Sequence, residues 1–226
     1  MNNTIETNTE KQVKSKERVQ KHGEVFTAQR EVNAMLDLVK QETERIESRF
    51  LEPACGNGNF LAEIIRRKLM IVENRYKNSQ PDWELNAVIA VSSIYGIDIL
   101  EDNAKECRER LYSIFDNNYR TLFKDNRKEE CYRSVKYILK CNILMGDALD
   151  YTNPETKKPV IFSEWSIVNG VFIKRRDYRF KFLVEKIHQN TLFNEEGNPA
   201  TIDHPVKDDY ELIHFLKFRT PDLSQF

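Results

Sequence analysis

The chain has 226 residues, 40% of them hydrophobic, which suffices for one buried core and argues against several independent domains. Its 35 Lys and Arg nearly balance 36 Asp and Glu, for a formal net charge of -1, so any nucleic-acid role must come from a local basic patch. Cys55, Cys107, Cys131 and Cys141 lack CxxC spacing and His partners at zinc-finger distances, residues 1–23 are too polar for a signal peptide, and no apolar run could cross a membrane. A cytoplasmic protein with reduced thiols and no metal site is expected.

Residues 1–22 read as a solvated tail or a frayed helix. From Gln29 onward, Val32, Met35, Leu36 and Val39 recur at the spacing of one helix face. A short strand over 49–52 runs into a glycine turn, and a second helix follows with Phe60, Ile64, Ile65 and Leu69 inward. Pro81 and Asp82 mark a turn, and 85–92 form an apolar helix that leads into a strand over 94–99. Residues 101–117 are amphipathic, with Ala104, Cys107, Leu111, Ile114 and Phe115 inward. A helix over 129–140 leads into a strand over 143–145 that stops at Gly146-Asp147.

Strands alternating with helices through short connections predict an α/β, Rossmann-like fold: a partial parallel sheet with helices on both faces. After Pro159 the texture changes. Residues 160–165 and 171–184 are β-rich, and Asn169-Gly170 between them predicts a type I′ hairpin. Residues 194–205 read as a loop. The expected division is a polar tail (1–22), a cofactor-binding domain (23–150) and a hairpin with a carboxyl-terminal extension (151–226) for DNA or partner contact.

The strand-to-helix turn carries Glu52-Pro53-Ala54-Cys55-Gly56-Asn57-Gly58-Asn59-Phe60-Leu61. Glycines at 56 and 58 let a ligand lie against bare backbone at the carboxyl end of the first strand, where a Cβ would collide. The amides of the following helix then face the ligand. Glu52 can accept from a cationic amino group. Asp98 ends the second strand, where a carboxylate can accept both hydroxyls of a ribose. Asp147 ends the third, placed to accept an adenine exocyclic amine. Either aspartate alone reads as an ordinary loop or capping carboxylate. As an ordered set after the glycine turn, they describe a pocket for S-adenosylmethionine (SAM).

These motifs resemble those of the SAM-binding half of adenine-specific DNA methyltransferases of bacterial restriction–modification systems. The glycine turn is similar to that family's first motif. Gly23-Glu24-Val25-Phe26-Thr27 resembles the segment that precedes it in the subclass with an amino-terminal cofactor motif. Tyr95-Gly96-Ile97-Asp98 and Met145-Gly146-Asp147-Ala148 resemble the second and third motifs. The likeness covers roughly residues 22–150. It implies that Phe26 and Thr27 touch the methionine end of SAM, and that Glu52, Pro53, Ala54, Gly56, Gly58, Phe60, Asp98, Ile99, Asp147 and Ala148 complete the cofactor site.

The family holds the flipped adenine with an Asn/Asp-Pro-Pro-aromatic turn, whose acceptors take the amine hydrogens while the aromatic ring stacks the base. This chain has no Pro-Pro dipeptide. Asn153-Pro154-Glu155 is the nearest imitation, but it lacks the second proline and the aromatic, and it follows Asp147 too closely. About seven strands are expected of such a fold and only three are identifiable, leaving the first as an exposed edge. Either a partner polypeptide supplies the catalytic half and target recognition, or the chain is a non-catalytic SAM-binding module or relic.

Lys174-Arg175-Arg176-Asp177-Tyr178-Arg179-Phe180-Lys181 is the strongest basic run. On a strand, Arg175, Asp177, Arg179 and Lys181 share one face, and Lys174, Arg176, Tyr178 and Phe180 the other. Lys174, Arg175, Arg176 and Arg179 can grip DNA phosphates, or the charges can simply keep an edge hairpin from aggregating. Trp165 is either a base-stacking platform or a core residue. His22, His188, His204 and His214 show no spacing with carboxylates that suggests a dyad or a metal site.

Overall fold

The computed structural model describes residues 13–182, 184 and 205–218. The helices α1 (Lys16–His22), α2 (Gln29–Asp37) and α3 (Lys40–Thr43) precede the first strand, β1 (Phe50–Glu52). Next come α4 (Asn59–Tyr76), α5 (Gln80–Ser92), β2 (Ile94–Asp98), α6 (Glu101–Phe123), α7 (Glu129–Asn142) and β3 (Ile143–Met145). The hairpin strands β4 (Ile161–Val168) and β5 (Phe172–Arg179) follow, and β6 (Ile213–His214) closes the order. Among the described residues, no helix is long and apolar enough to cross a membrane.

β1, β2 and β3 form a parallel sheet in that order, with Phe50 opposite Ile94 and Gly96 opposite Ile143. β4, β5 and β6 form a separate antiparallel sheet. Among the described residues β1 is therefore an edge strand, as the sequence predicts, and its Leu51 is 37% exposed.

Among the described residues, the crossover helices lie on one face of the parallel sheet, and a helical turn that opens at Phe180 lies on the other. Both crossovers step in the same direction, from β1 to β2 to β3, and crossovers of one hand then place their helices on one face. The helices α4 to α7 pack on that face in one core with Ile94 and Ile143. Tyr95 and Ile97 point the other way and are covered by Val160, Phe162 and Phe180. The hairpin and the chain after β6 also reach the helical core: Trp165 and Ile173 from the one, Phe215 and Phe218 from the other, are buried in it. Thus residues on both sides of the boundary expected at 150 share their cores.

Other expectations shift for local reasons. Pro81 and Asp82 lie inside the first turn of α5, where a missing proline N–H leaves no helical bond unmade. On α2 only Val32 and Leu36 are buried, while Met35 and Val39 are 55% and 44% exposed. Asn169 and Gly170 do adopt positive φ (50° and 77°), but Val168 pairs with Phe172, so the loop has a third residue, Val171. The loop expected over 194–205 lies outside the described residues but for Pro205.

Candidate functional site

The carboxyl ends of the three parallel strands open on one cavity of about 630 Å³. Its floor is the glycine turn. Cys55 N donates to Ile97 O at 2.8 Å, which ties the turn to β2, and Gly58 N donates back to Cys55 O at 2.8 Å. Gly56 takes φ +52°, and a Cβ there would come within 3.0 Å of the Phe26 ring. That glycine is thus what lets the amino-terminal segment lie against the turn.

Of the twelve residues expected around the cofactor, Phe26, Thr27, Glu52, Pro53, Ala54, Gly56, Phe60, Asp98, Ile99, Asp147 and Ala148 all line this cavity. Gly58 does not. It faces α6, where a Cβ would sit 2.6 Å from Cys107 Sγ, so its side-chain-free position serves packing beneath the turn. Cys55 also lines the cavity. Its contact with Cys107, and then its burial, push the thiol well above its ordinary pKa, which leaves a neutral, apolar wall.

Three carboxylates define the polar part. Glu52 stands at the end of β1, where burial raises its pKa against the opposing hydrogen bond from the Ala54 amide. Such a group gains from a cationic partner. Asp98 is 8% exposed; Oδ2 accepts from Gly56 N at 2.9 Å, and Oδ1 from Leu100 N at 2.9 Å and Asn103 Nδ2 at 3.1 Å. Asp147 sits on the turn after β3, held by its own N–H to Thr152 O at 2.7 Å, while its Oδ1 accepts from Leu149 N at 2.8 Å.

The amino-terminal segment makes the remaining wall, and sequence reasoning missed how. Residues 13–22 are docked, not a solvated tail: Arg18 pairs with Glu24 at 2.5 Å and with Asp102 at 2.6 Å, and Lys14 with Glu106 at 2.5 Å. Gly23 ends α1 in the left-handed region at φ 65° and turns the chain into Glu24, Val25, Phe26 and Thr27. Asn59 Nδ2 donates to Thr27 O at 2.8 Å and fixes the end of this strap. Glu24 and Asn103 also line the cavity. Their signal was present in Gly-Glu-Val-Phe-Thr and in the acid-rich first turn of α6, but it gives no hint that the two segments meet.

The basic run is not gathered on one surface. Arg175 points inward, bonded bidentately to Asp177 at 2.8 and 2.9 Å and set among Tyr137, Trp165 and Tyr210. Lys174 donates to Tyr210 O at 2.6 Å, and Arg176 lies 3.8 Å from Glu164. Arg179 is exposed at the end of β5, where the strand gives way to a helical turn and the expected alternation stops before Phe180 and Lys181. Trp165 is 7% exposed and donates to Asn142 Oδ1 at 2.9 Å, which makes it a core residue. Asn153 is spent on its own turn, its Oδ1 accepting from Glu155 N and Thr156 N at 3.0 and 2.9 Å. It lies outside the cavity that Asp147 lines.

Comparison with known proteins found no family model that matches this chain, no similar curated protein and no similar solved structure.

Proposed function

We propose that this chain is the Rossmann-like, SAM-binding subunit of an adenine-specific DNA methyltransferase of a restriction–modification system, with the base-holding motif supplied by a partner polypeptide. One observation carries the reading: eleven residues chosen from sequence motifs spread over residues 26–148 line a single cavity at the ends of parallel strands. That placement is where open α/β sheets bind nucleotide-like ligands.

The residues fit SAM by their chemistry. Glu52, desolvated and with no cationic hydrogen-bond partner among the described residues, suits the amino group of the methionine part. Asp98 suits the ribose and Asp147 the adenine amine, with Ile99 and Phe60 as apolar walls. Phe26 and Thr27 close the methionine end. When bound, SAM supplies an electrophilic methyl carbon for in-line displacement by the adenine amine nitrogen. This chain contributes placement of that carbon and exclusion of water around it. The acceptors that take the amine hydrogens come from the partner.

Two measurements test the reading. In calorimetry the chain binds SAM, and Asp98→Ala weakens binding roughly ten- to a hundredfold, the worth of hydrogen bonds to a charged acceptor. In a DNA methylation assay the chain alone is inactive and gains activity with the product of a neighbouring gene. SAM binding without activity in any such pairing would leave the narrower alternative, a non-catalytic SAM-binding module, which the missing Asn-Pro-Pro-aromatic motif favours. No binding by the wild type, alone or paired, would overturn both.

A further inference from the structure

Asp98 already makes hydrogen bonds that limit what a ribose would find there. An ionised carboxylate offers about four acceptor positions. The protein fills three of those of Asp98: Gly56 N on Oδ2, and Leu100 N with Asn103 Nδ2 on Oδ1. Among the described residues one position, on Oδ2, remains. A ribose brings two adjacent hydroxyls, so the expectation that Asp98 accepts both does not fit its geometry. Without a second acceptor one hydroxyl would be stripped of water and left unpaired.

Glu24 is the acceptor at hand. It lines the same cavity, and its side chain is 7% exposed. Arg18 fastens it, with Nε on Oε2 at 2.5 Å and Nη2 on Oε1 at 2.8 Å, and Asn103 Nδ2 adds a bond to Oε1 at 2.6 Å. One position is again left by the described residues, on Oε2. The single nitrogen of Asn103 therefore bridges Glu24 Oε1 and Asp98 Oδ1, and among the described residues it leaves one acceptor position on the other oxygen of each. Asn103 is itself 1% exposed, and its Oδ1 accepts from Lys14 Nζ at 2.7 Å and Arg18 Nη2 at 3.0 Å, so its amide cannot turn over without losing every partner. The Arg18 guanidinium holds the Glu24 carboxyl below its usual range, so it is an ionised acceptor at neutral pH.

Building on the cofactor reading above, we propose that Glu24 and Asp98 form a two-carboxylate clasp for a vicinal diol, each reading one ribose hydroxyl, with Asn103 as the positioning residue that sets their spacing. Half of the clasp comes from the end of β2 and half from the strap after α1. The ligand thereby ties the amino-terminal strap to the sheet. The class selected is a nucleoside with both hydroxyls present, and 2′-deoxy and 3′-deoxy forms are rejected.

Calorimetry of the full chain with S-adenosylhomocysteine and its 2′-deoxy and 3′-deoxy forms tests this. The wild type should lose roughly ten- to a hundredfold in affinity for either missing hydroxyl. Glu24→Ala should bind S-adenosylhomocysteine about as weakly as the wild type binds one deoxy form. It should no longer distinguish those two ligands, yet still reject the other deoxy form. Glu24→Gln, which keeps the bulk of the side chain and a neutral acceptor, should lose the same discrimination part-way and controls for folding. If Glu24→Ala and Glu24→Gln penalise both deoxy forms by the wild-type factors, Glu24 reads no hydroxyl and the clasp is overturned, while the cofactor reading stands. If the wild type binds no S-adenosylhomocysteine, alone or with the product of the neighbouring gene, the cofactor reading itself fails and the clasp falls with it.

Discussion

Lys68 is the residue most at odds with its surroundings. It sits in α4 with no exposed surface, and its ammonium donates to Ile46 O at 3.0 Å, to Ser48 O and to Ser93 Oγ at 2.6 Å, 5.2 Å from the centre of the Phe50 ring. It thereby staples the segment entering β1 to the residue that precedes β2. Burial pushes its pKa down from 10.5 to about 7. Between about 7 and 10.5 the unfolded chain holds a proton that the folded chain gives up, so this group makes stability rise with pH across that interval and level off below it. Lys68→Met should remove that contribution. It should also cost about 2–4 kcal/mol near neutral pH, because two carbonyls and a hydroxyl lose their donor. Chemical denaturation at pH 7 and pH 9 checks both; a variant as stable as the wild type with an unchanged pH slope would refute the staple. The residue was legible in one respect only. With Leu61, Ile64, Ile65, Leu69 and Val72 buried on α4, helical phase puts position 68 inside, but the run Arg66-Arg67-Lys68 reads as solvated charge. What the phase could not supply is the cluster of carbonyls that makes a buried ammonium tolerable.

At the scale of the element, the hairpin shows how far alternation reaches. Period two correctly groups Arg175 with Asp177, but it cannot say which face is buried. The clue was Asp177, a carboxylate in a run of cations. It is 6% exposed and accepts from Arg175, from Ser163 Oγ at 2.9 Å and from Tyr210 Oη at 2.8 Å, so it gathers β4, β5 and the chain near β6 around one charge pair. Arg175→Ala leaves that carboxylate buried without its cation and should destabilise the protein by about 3 kcal/mol. Arg179, exposed on the same strand, should give less than about 0.5 kcal/mol when changed to Ala. Melting both variants separates a structural cation from a surface one, and equal melting temperatures would remove the distinction. The consequence for function is direct. A DNA-binding defect in Arg175→Ala would report a loosened hairpin, whereas one in Arg179→Ala with a flatter salt dependence would report a lost phosphate contact.

For the whole molecule, the motifs that meet at the cavity were legible because each sits at a strand end, where a glycine or a carboxylate has a specific geometric task. The packing that holds those strand ends was not legible, since it depends on which distant segments meet. A three-stranded parallel sheet needs cover on both faces, because apolar strand residues point both ways. Here α4 to α7 cover one face and Val160, Phe162 and Phe180 the other, against Tyr95 and Ile97, with Tyr95 Oη donating to Ser163 O at 3.0 Å. The hairpin thus does for the second face what further crossover helices would do in a longer sheet, and it does so only if it is present. A fragment of residues 23–150, which carries eleven of the twelve expected cofactor residues in the cavity, would expose Tyr95 and Ile97 and lose Trp165, Ile173, Phe215 and Phe218 from the helical core. It would also lose Arg18 and Lys14 and with them the docking of the strap. The fragment should therefore bind hydrophobic dyes, melt without a cooperative transition and bind no SAM, while the full chain should melt cooperatively. If the fragment instead unfolds in one sharp transition within a few degrees of the full chain, the hairpin is an appendage to a self-sufficient domain, and its packing against β2 contributes little to the fold.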